Sequence, residues 1–160
     1  VLFRSRLKEA FPEMDVIAVE PERNAVLSTG ESGKDEFQGM GPGFVSENLD
    51  TDLIDDVETV RLEDAEDECR RLAREEGILV GQSSGATSVV ARRVAKRIAE
   101  PDADCPPSPA ELTPTASHDG DQRADGTDPT DGVYDDCPLV ITVFWDSGER
   151  YMSTGMFDAE

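Results

Sequence analysis

Apolar positions change their spacing along the chain in a repeating order. Residues 6–11, RLKEAF, read as the end of a helix, and residues 15–21, DVIAVEP, as a buried strand stopped by Pro21. Residues 57–62, VETVRL, form a second short strand candidate. The segment EDAEDECRRLAREEG follows, with acids in its first turns, arginines later and Gly77 at its end. That order suits the helix dipole and a glycine stop, and its apolar stripe is Ala65, Cys69, Leu72 and Ala73. Residues 78–80, ILV, are a short extended run, after which Ala86, Val89, Val90, Val94 and Ile98 recur at helical spacing. The run CPLVITVFW, 137–145, predicts a central parallel strand covered on both faces. Strand and helix alternate, so the expected fold class is α/β, an open parallel sheet flanked by helices.

Two stretches interrupt this alternation. Within residues 22–56, STGESGKDEFQGMGPGF carries five glycines and a proline, a composition for loops and close backbone approach, and a functional loop is expected there. From 101 to 136 Pro, Asp, Gly, Thr and Ser dominate; counted from Glu100 there are eleven acids against one arginine. Such a segment buries too little apolar surface to offset its ordering entropy, and it is read as a disordered acidic insertion. Residues 6–100 and 137–160 then form one domain around it, in keeping with a length of 160 residues.

Charge narrows the partners. With 36 Asp+Glu against 15 Lys+Arg the net charge is −21, a field that repels phosphate and argues against nucleic acid and anionic membranes. The same excess keeps a protein hydrated in concentrated salt, so a halophilic source is expected. Cys69, Cys105 and Cys137 are widely spaced without C-x-x-C or histidine neighbours, which points to neither a disulfide framework nor a zinc site. Cys69 reads as a small core residue. No metal ligands are assigned, and a soluble, cytoplasmic protein is expected, since no apolar run is long enough to span a bilayer.

The stretch GQSSG, 81–85, lies where a strand candidate becomes a helix, and it spells the G-x-S-x-G of a hydrolase nucleophile elbow. That reading needs a base, and the lone histidine, His118, falls in the acidic insertion. A helix cap explains one serine, worth about 1 kcal/mol, but not two serines between two glycines. GESGK, 30–34, lacks Walker A spacing and reads as a loop. Trp145 reads as a packing residue, and Arg92, Arg93, Lys96 and Arg97 as a solvated face suited to a helix C-terminus.

Taken in order, VIAVEP, FQGMGPGF, RRLAREEGILVGQSSGAT and SGERYMST resemble the C-terminal half of the cysteine synthases, fold-type II pyridoxal-phosphate enzymes of the tryptophan synthase β family. The resemblance covers roughly residues 6–100 and 137–157, and SGERY favours cysteine synthase over cystathionine β-synthase. It implies pyridoxal 5'-phosphate as cofactor. It places Ser83 at the pyridine nitrogen and Gly41 where the loop backbone nears the amino-acid substrate, with Gly39 and Gly43 shaping that loop. The implied reaction is β-replacement on an activated serine, O-acetylserine or O-phosphoserine, by sulfide or a thiol, in a homodimer. Where the family more commonly has proline, this chain has Trp145.

The resemblance also implies an N-terminal half, with a Schiff-base lysine and a glycine-rich phosphate cup ahead of RLKEAF. VLFRS, residues 1–5, stands in place of the cup and is read as a non-native or truncated start; Lys8, Lys34 and Lys96 lack the family's serine-lysine context. No catalytic residue is therefore assigned to this chain, which is expected to be inactive alone. The alternatives are a cystathionine β-synthase-like enzyme and a noncatalytic acidic α/β binding module.

Overall fold

A computed structural model describes residues 2–99 and 137–158, with side chains from residue 6 onward. The acidic segment 101–136 read as disordered lies outside the described residues. Helix α1 (Leu2–Ala10) takes in most of the five residues read as a non-native start. Strand β1 (Ile17–Pro21) then runs parallel to β2 (Asp56–Val60), in register from Ile17 opposite Asp56 to Pro21 opposite Val60. Proline ends β1, where its missing N–H costs no ladder bond. The long connection holds a short helix, α2 (Val26–Thr29), whose N–H groups at Leu27 and Ser28 each donate to the buried Glu20 carboxylate at 2.8 Å.

Helix α3 (Leu62–Arg71) continues through a wide turn, Leu72–Glu76, to Gly77 in the left-handed region at φ 70°. Helix α4 (Gln82–Ile98) follows. The expected stripe of α3 holds at Ala65, Cys69 and Leu72, all buried. On α4 Ala86, Val90 and Val94 are buried, as are Ser84 and Ser88, whereas Ile98 is exposed. Cys69, Leu72, Val80, Tyr151 and Met156 form one apolar cluster, with Phe157 packed against it. The chain divides into two compact units, Val1–Arg92 with Thr142–Glu160, and Arg93–Ile141.

The strand expected over 137–145 does not form. Among the described residues the sheet has only β1 and β2, and the apolar run lies open, with Ile141 79% and Trp145 69% exposed. A continuous apolar run becomes a strand only where neighbouring strands take up its N–H and C=O groups. The 78–80 run fares similarly: only Val80 forms a bridge, antiparallel to Ser147. Cys137 is disulfide-bonded, against the expectation drawn from spacing, because tertiary proximity is not encoded in sequence separation. Among the described residues no helix is long and apolar enough to cross a membrane.

A steric contact and an ionic cluster help lock α3 to α4. A Cβ on Gly85 would stand 2.2 Å from the Ala65 carbonyl oxygen and 2.5 Å from Cys69 Sγ, so only glycine lets the first turns of α4 seat on α3. In the ionic cluster Glu68, 5% exposed, accepts from Arg71 Nε at 3.0 Å and Nη2 at 2.9 Å, from Ser88 Oγ at 2.8 Å and from Arg92 Nη1 at 2.7 Å. Arg92, read as part of a solvated face, thus reaches across to α3.

Gly85→Ala is expected to lower the urea midpoint, because about 1–3 kcal/mol of overpacking outweighs the roughly 1 kcal/mol that alanine gains in helix propensity. An unchanged midpoint would show that the helices have room to part.

Burial works to raise the Glu68 carboxyl, but the hydrogen bonds from Arg71 and Ser88 and the charge of Arg92 outweigh it and hold the group below its ordinary value of 4.5. The stability it contributes is therefore present above pH 4.5 and lost as pH falls through the lower, folded value. Glu68→Gln is expected to be less stable than the starting chain at neutral pH, with the difference shrinking below pH 4.5 in urea titrations. A difference independent of pH would contradict this.

Candidate functional site

Three glycine-containing segments meet in the first unit: the loop 37–44, the turn 80–85 that opens α4, and the segment 145–151. The first lies over the carboxyl end of β1, the side on which parallel sheets hold ligands. Asn24, buried just beyond β1, organises it through one amide: Oδ1 accepts from Gly33 N–H at 3.1 Å, and Nδ2 donates to Asp35 Oδ2 at 2.8 Å and to the Gly41 carbonyl at 2.7 Å. Gly41 has φ 67°, and a Cβ there would stand 2.6 Å from the Pro21 ring. Conformation and space thus both require glycine at 41. Gly39 and Gly43 also have positive φ, at 91° and 79°.

The turn 80–85 is pressed against the segment 145–151. Gly81 N–H donates to the Asp146 carbonyl at 3.4 Å and Gly148 N–H to the Leu79 carbonyl at 3.2 Å. A Cβ on Gly81 would overlap the Tyr151 ring at 2.3 Å and the Asp146 carboxylate at 2.5 Å. Asp146 Oδ1 is buried and has no hydrogen-bond partner among the described residues, whereas Oδ2 accepts from the Tyr151 hydroxyl at 3.1 Å. Burial, and then the bond to Asp146, push the Tyr151 hydroxyl above its ordinary value of 10.0, so it remains a proton donor at neutral pH.

The two serines part company here. Ser84 is fully buried and its hydroxyl accepts from Trp145 N–H at 3.1 Å, tying the end of the 137–145 run to α4. Ser83 is half-buried at the second position of α4, and its hydroxyl has no hydrogen-bond partner among the described residues. One hydroxyl is structural and the other is left available, which sequence spacing alone does not separate. The histidine that a hydrolase reading would need, His118, lies outside the described residues.

Gln82, between Gly81 and Ser83, went unassigned from sequence. Its buried amide accepts from Gln38 N–H at 2.9 Å and donates to Glu66 on α3 at 2.8 Å. An uncharged amide between a glycine and a serine, in a chain where acids abound, was the available signal. Lys8 bonds Asp55 at 2.8 Å and the Met14 carbonyl, and Lys34 and Lys96 are exposed. The Cys69 thiol donates to the Gly81 carbonyl at 3.2 Å, and burial pushes it up to about 11, in keeping with a core residue.

Residues 5–104 match the family model described as pyridoxal-phosphate dependent enzyme. The chain is 47% identical to a probable cysteine synthase of Bacillus subtilis and 42% identical to a cysteine synthase of Staphylococcus aureus strain Mu50, in each case over 94% of this chain and 37% of the relative. It thus spans little more than a third of the length of these curated relatives. Among solved structures, O-ureido-L-serine synthase superposes with a TM-score of 0.69 at 32% identity, over 97% of this chain and 38% of that one. An O-acetylserine dependent cystathionine β-synthase from Helicobacter pylori gives 0.52 at 42% identity, over 59% of this chain and 30% of that one. On the family match and the shared α/β fold, the chain is a cysteine synthase-like member of the pyridoxal-phosphate dependent enzyme family.

Proposed function

We propose that this chain supplies the ring-nitrogen end of the cofactor site in an enzyme that makes cysteine from an activated serine and sulfide. The observation that carries the reading is the division of labour between the serines: Ser84 is consumed by Trp145, while the Ser83 hydroxyl is left without a protein partner among the described residues. Pyridoxal phosphate, when bound, supplies an electron sink for the α-carbon of an amino acid. How deep that sink is depends on what faces the ring nitrogen. Ser83 offers a neutral hydroxyl that hydrogen-bonds the nitrogen without charging it. Its place in the first turn of a 17-residue helix adds partial positive charge, which further disfavours a proton on the nitrogen. A shallow sink favours loss of a β-substituent and its replacement over slower proton shuffling.

Gly41 is the proposed substrate-side element, because its backbone lies over the carboxyl end of β1 with no side chain between loop and ligand. A homodimer and O-acetylserine or O-phosphoserine as activated serine belong to the same proposal. They draw support from the kinship with cysteine synthases. A second reading, with a thiol amino acid replacing sulfide, is supported by the identity with the cystathionine β-synthase.

The probe of choice is pyridoxine 5'-phosphate, which keeps the ring nitrogen but has no aldehyde to react with lysine. Its binding is followed by fluorescence of Trp145, the lone tryptophan, whose backbone N–H bonds Ser84 beside the site. Ser83→Ala is expected to weaken binding by about 5- to 10-fold, the worth of one hydrogen bond of about 1–1.5 kcal/mol. Equal affinity of the two chains would remove Ser83 from the site.

A further inference from the structure

The Gln38 peptide is gripped on both sides by buried side chains from elsewhere in the chain. Its N–H donates to Gln82 Oε1 at 2.9 Å, and its carbonyl accepts from the Tyr151 hydroxyl at 3.3 Å. Each gripping group is itself held from behind, Gln82 Nε2 by Glu66 Oε1 at 2.8 Å and the Tyr151 hydroxyl by Asp146 Oδ2 at 3.1 Å. Gln82 and Tyr151 are both 3% exposed, so although Gln38 itself lies at the surface each of these bonds is part-buried. Three residues on, Asn24 holds the Gly41 carbonyl at 2.7 Å. The loop is therefore pinned at 38 and at 41, leaving only Gly39 and Met40 between the pins. Gln82 is also the immediate chain neighbour of Ser83.

From this geometry we infer that Gln82 and Tyr151 are positioning residues: they fix the Gly39–Gly43 loop at a set distance from the Ser83 hydroxyl, so that one rigid frame carries both the ring contact and the substrate-side backbone. The effect on ligand rests on the reading of Ser83 proposed above, whereas the clamp itself does not. Gln82 suits the task because an amide can accept from the loop and donate to Glu66 at once. Tyr151 contributes a single proton, shared between the Gln38 carbonyl and Asp146, so the carbonyl-side bond is the weaker grip. A loop rich in glycine has many conformations to lose, and two fixed points limit that loss before a ligand arrives.

The test exchanges the partners. In Gln82→Glu, two carboxylates face each other where the amide bonded Glu66. In the double variant Glu66→Gln/Gln82→Glu, the new carboxylate accepts from both Gln38 N–H and the new amide, so the clamp is rebuilt with its polarity reversed. Amide hydrogen exchange at residue 38 is expected to quicken about ten-fold in the single variant and return to within about two-fold in the double, a coupling that a general loss of packing does not produce. Affinity for pyridoxine 5'-phosphate is expected to fall and recover in parallel. Tyr151→Phe, which keeps the ring against Gly81, is expected to weaken the probe by a smaller factor while leaving the residue 38 amide protected. Unchanged exchange in Gln82→Glu, or a double variant as loose as the single, overturns the clamp. Restored exchange without restored affinity overturns the positioning role. If the starting chain does not bind the probe, the reading of Ser83 fails, and the exchange measurements still decide whether the clamp exists.

Discussion

The candidate site depends on how closely the first turns of α4 approach α3. Gly85 stands where any side chain would meet the Ala65 carbonyl and the Cys69 sulfur, so the two helices touch backbone to backbone. That approach buries Ser84 completely, brings its hydroxyl to Trp145 N–H, and leaves Ser83 on the open flank of the same turn. It also carries Gln82 to Glu66 on one side and to the loop at Gln38 on the other. Glu68, with its bonds to Arg71, Ser88 and Arg92, holds the same pair of helices further along.

Polar groups rather than apolar area connect the site. The shared core is small, with Cys69, Leu72, Val80, Tyr151 and Met156 at its centre. Around it the buried Glu20, Asn24, Glu68 and Gln82 each take two or more hydrogen bonds. A buried polar group that satisfies several partners fixes their directions as well as their separation, which apolar contact alone does not. The arrangement suits a surface that must present one free hydroxyl and one bare loop backbone in register.

Much of this was legible in the residues. Helical spacing located α3 and α4, with Gly77 as the stop, the run ending in Pro21 became β1, and the run expected over 57–62 became β2 at Asp56–Val60. GQSSG marked the turn where Ser83 lies, and the functional loop expected within 22–56 meets that turn through Gln38. The run 137–145 misled because apolar character records only that a segment is fit to be covered, and among the described residues no strand pairs with it. Glu68, Gln82 and Asn24 went unread because hydrogen-bonding roles depend on neighbours distant in sequence, and in so acidic a chain one more carboxylate carries no pattern. Glu68 did flank the stripe of Ala65, Cys69 and Leu72, three residues before Arg71, which was the cue to its burial.

The central claim is that a neutral hydroxyl at a helix N-terminus meets a pyridine nitrogen and keeps it unprotonated. Nitrogen-15 resonance of ring-labelled pyridoxine 5'-phosphate bound to the chain reads that proton directly as pH is varied. The account predicts that the bound nitrogen protonates at lower pH than the free compound, and that Ser83→Asp, a substitution the helix N-terminus tolerates, reverses the order. A bound nitrogen that titrates as it does in free solution, unmoved by aspartate at position 83, would contradict it.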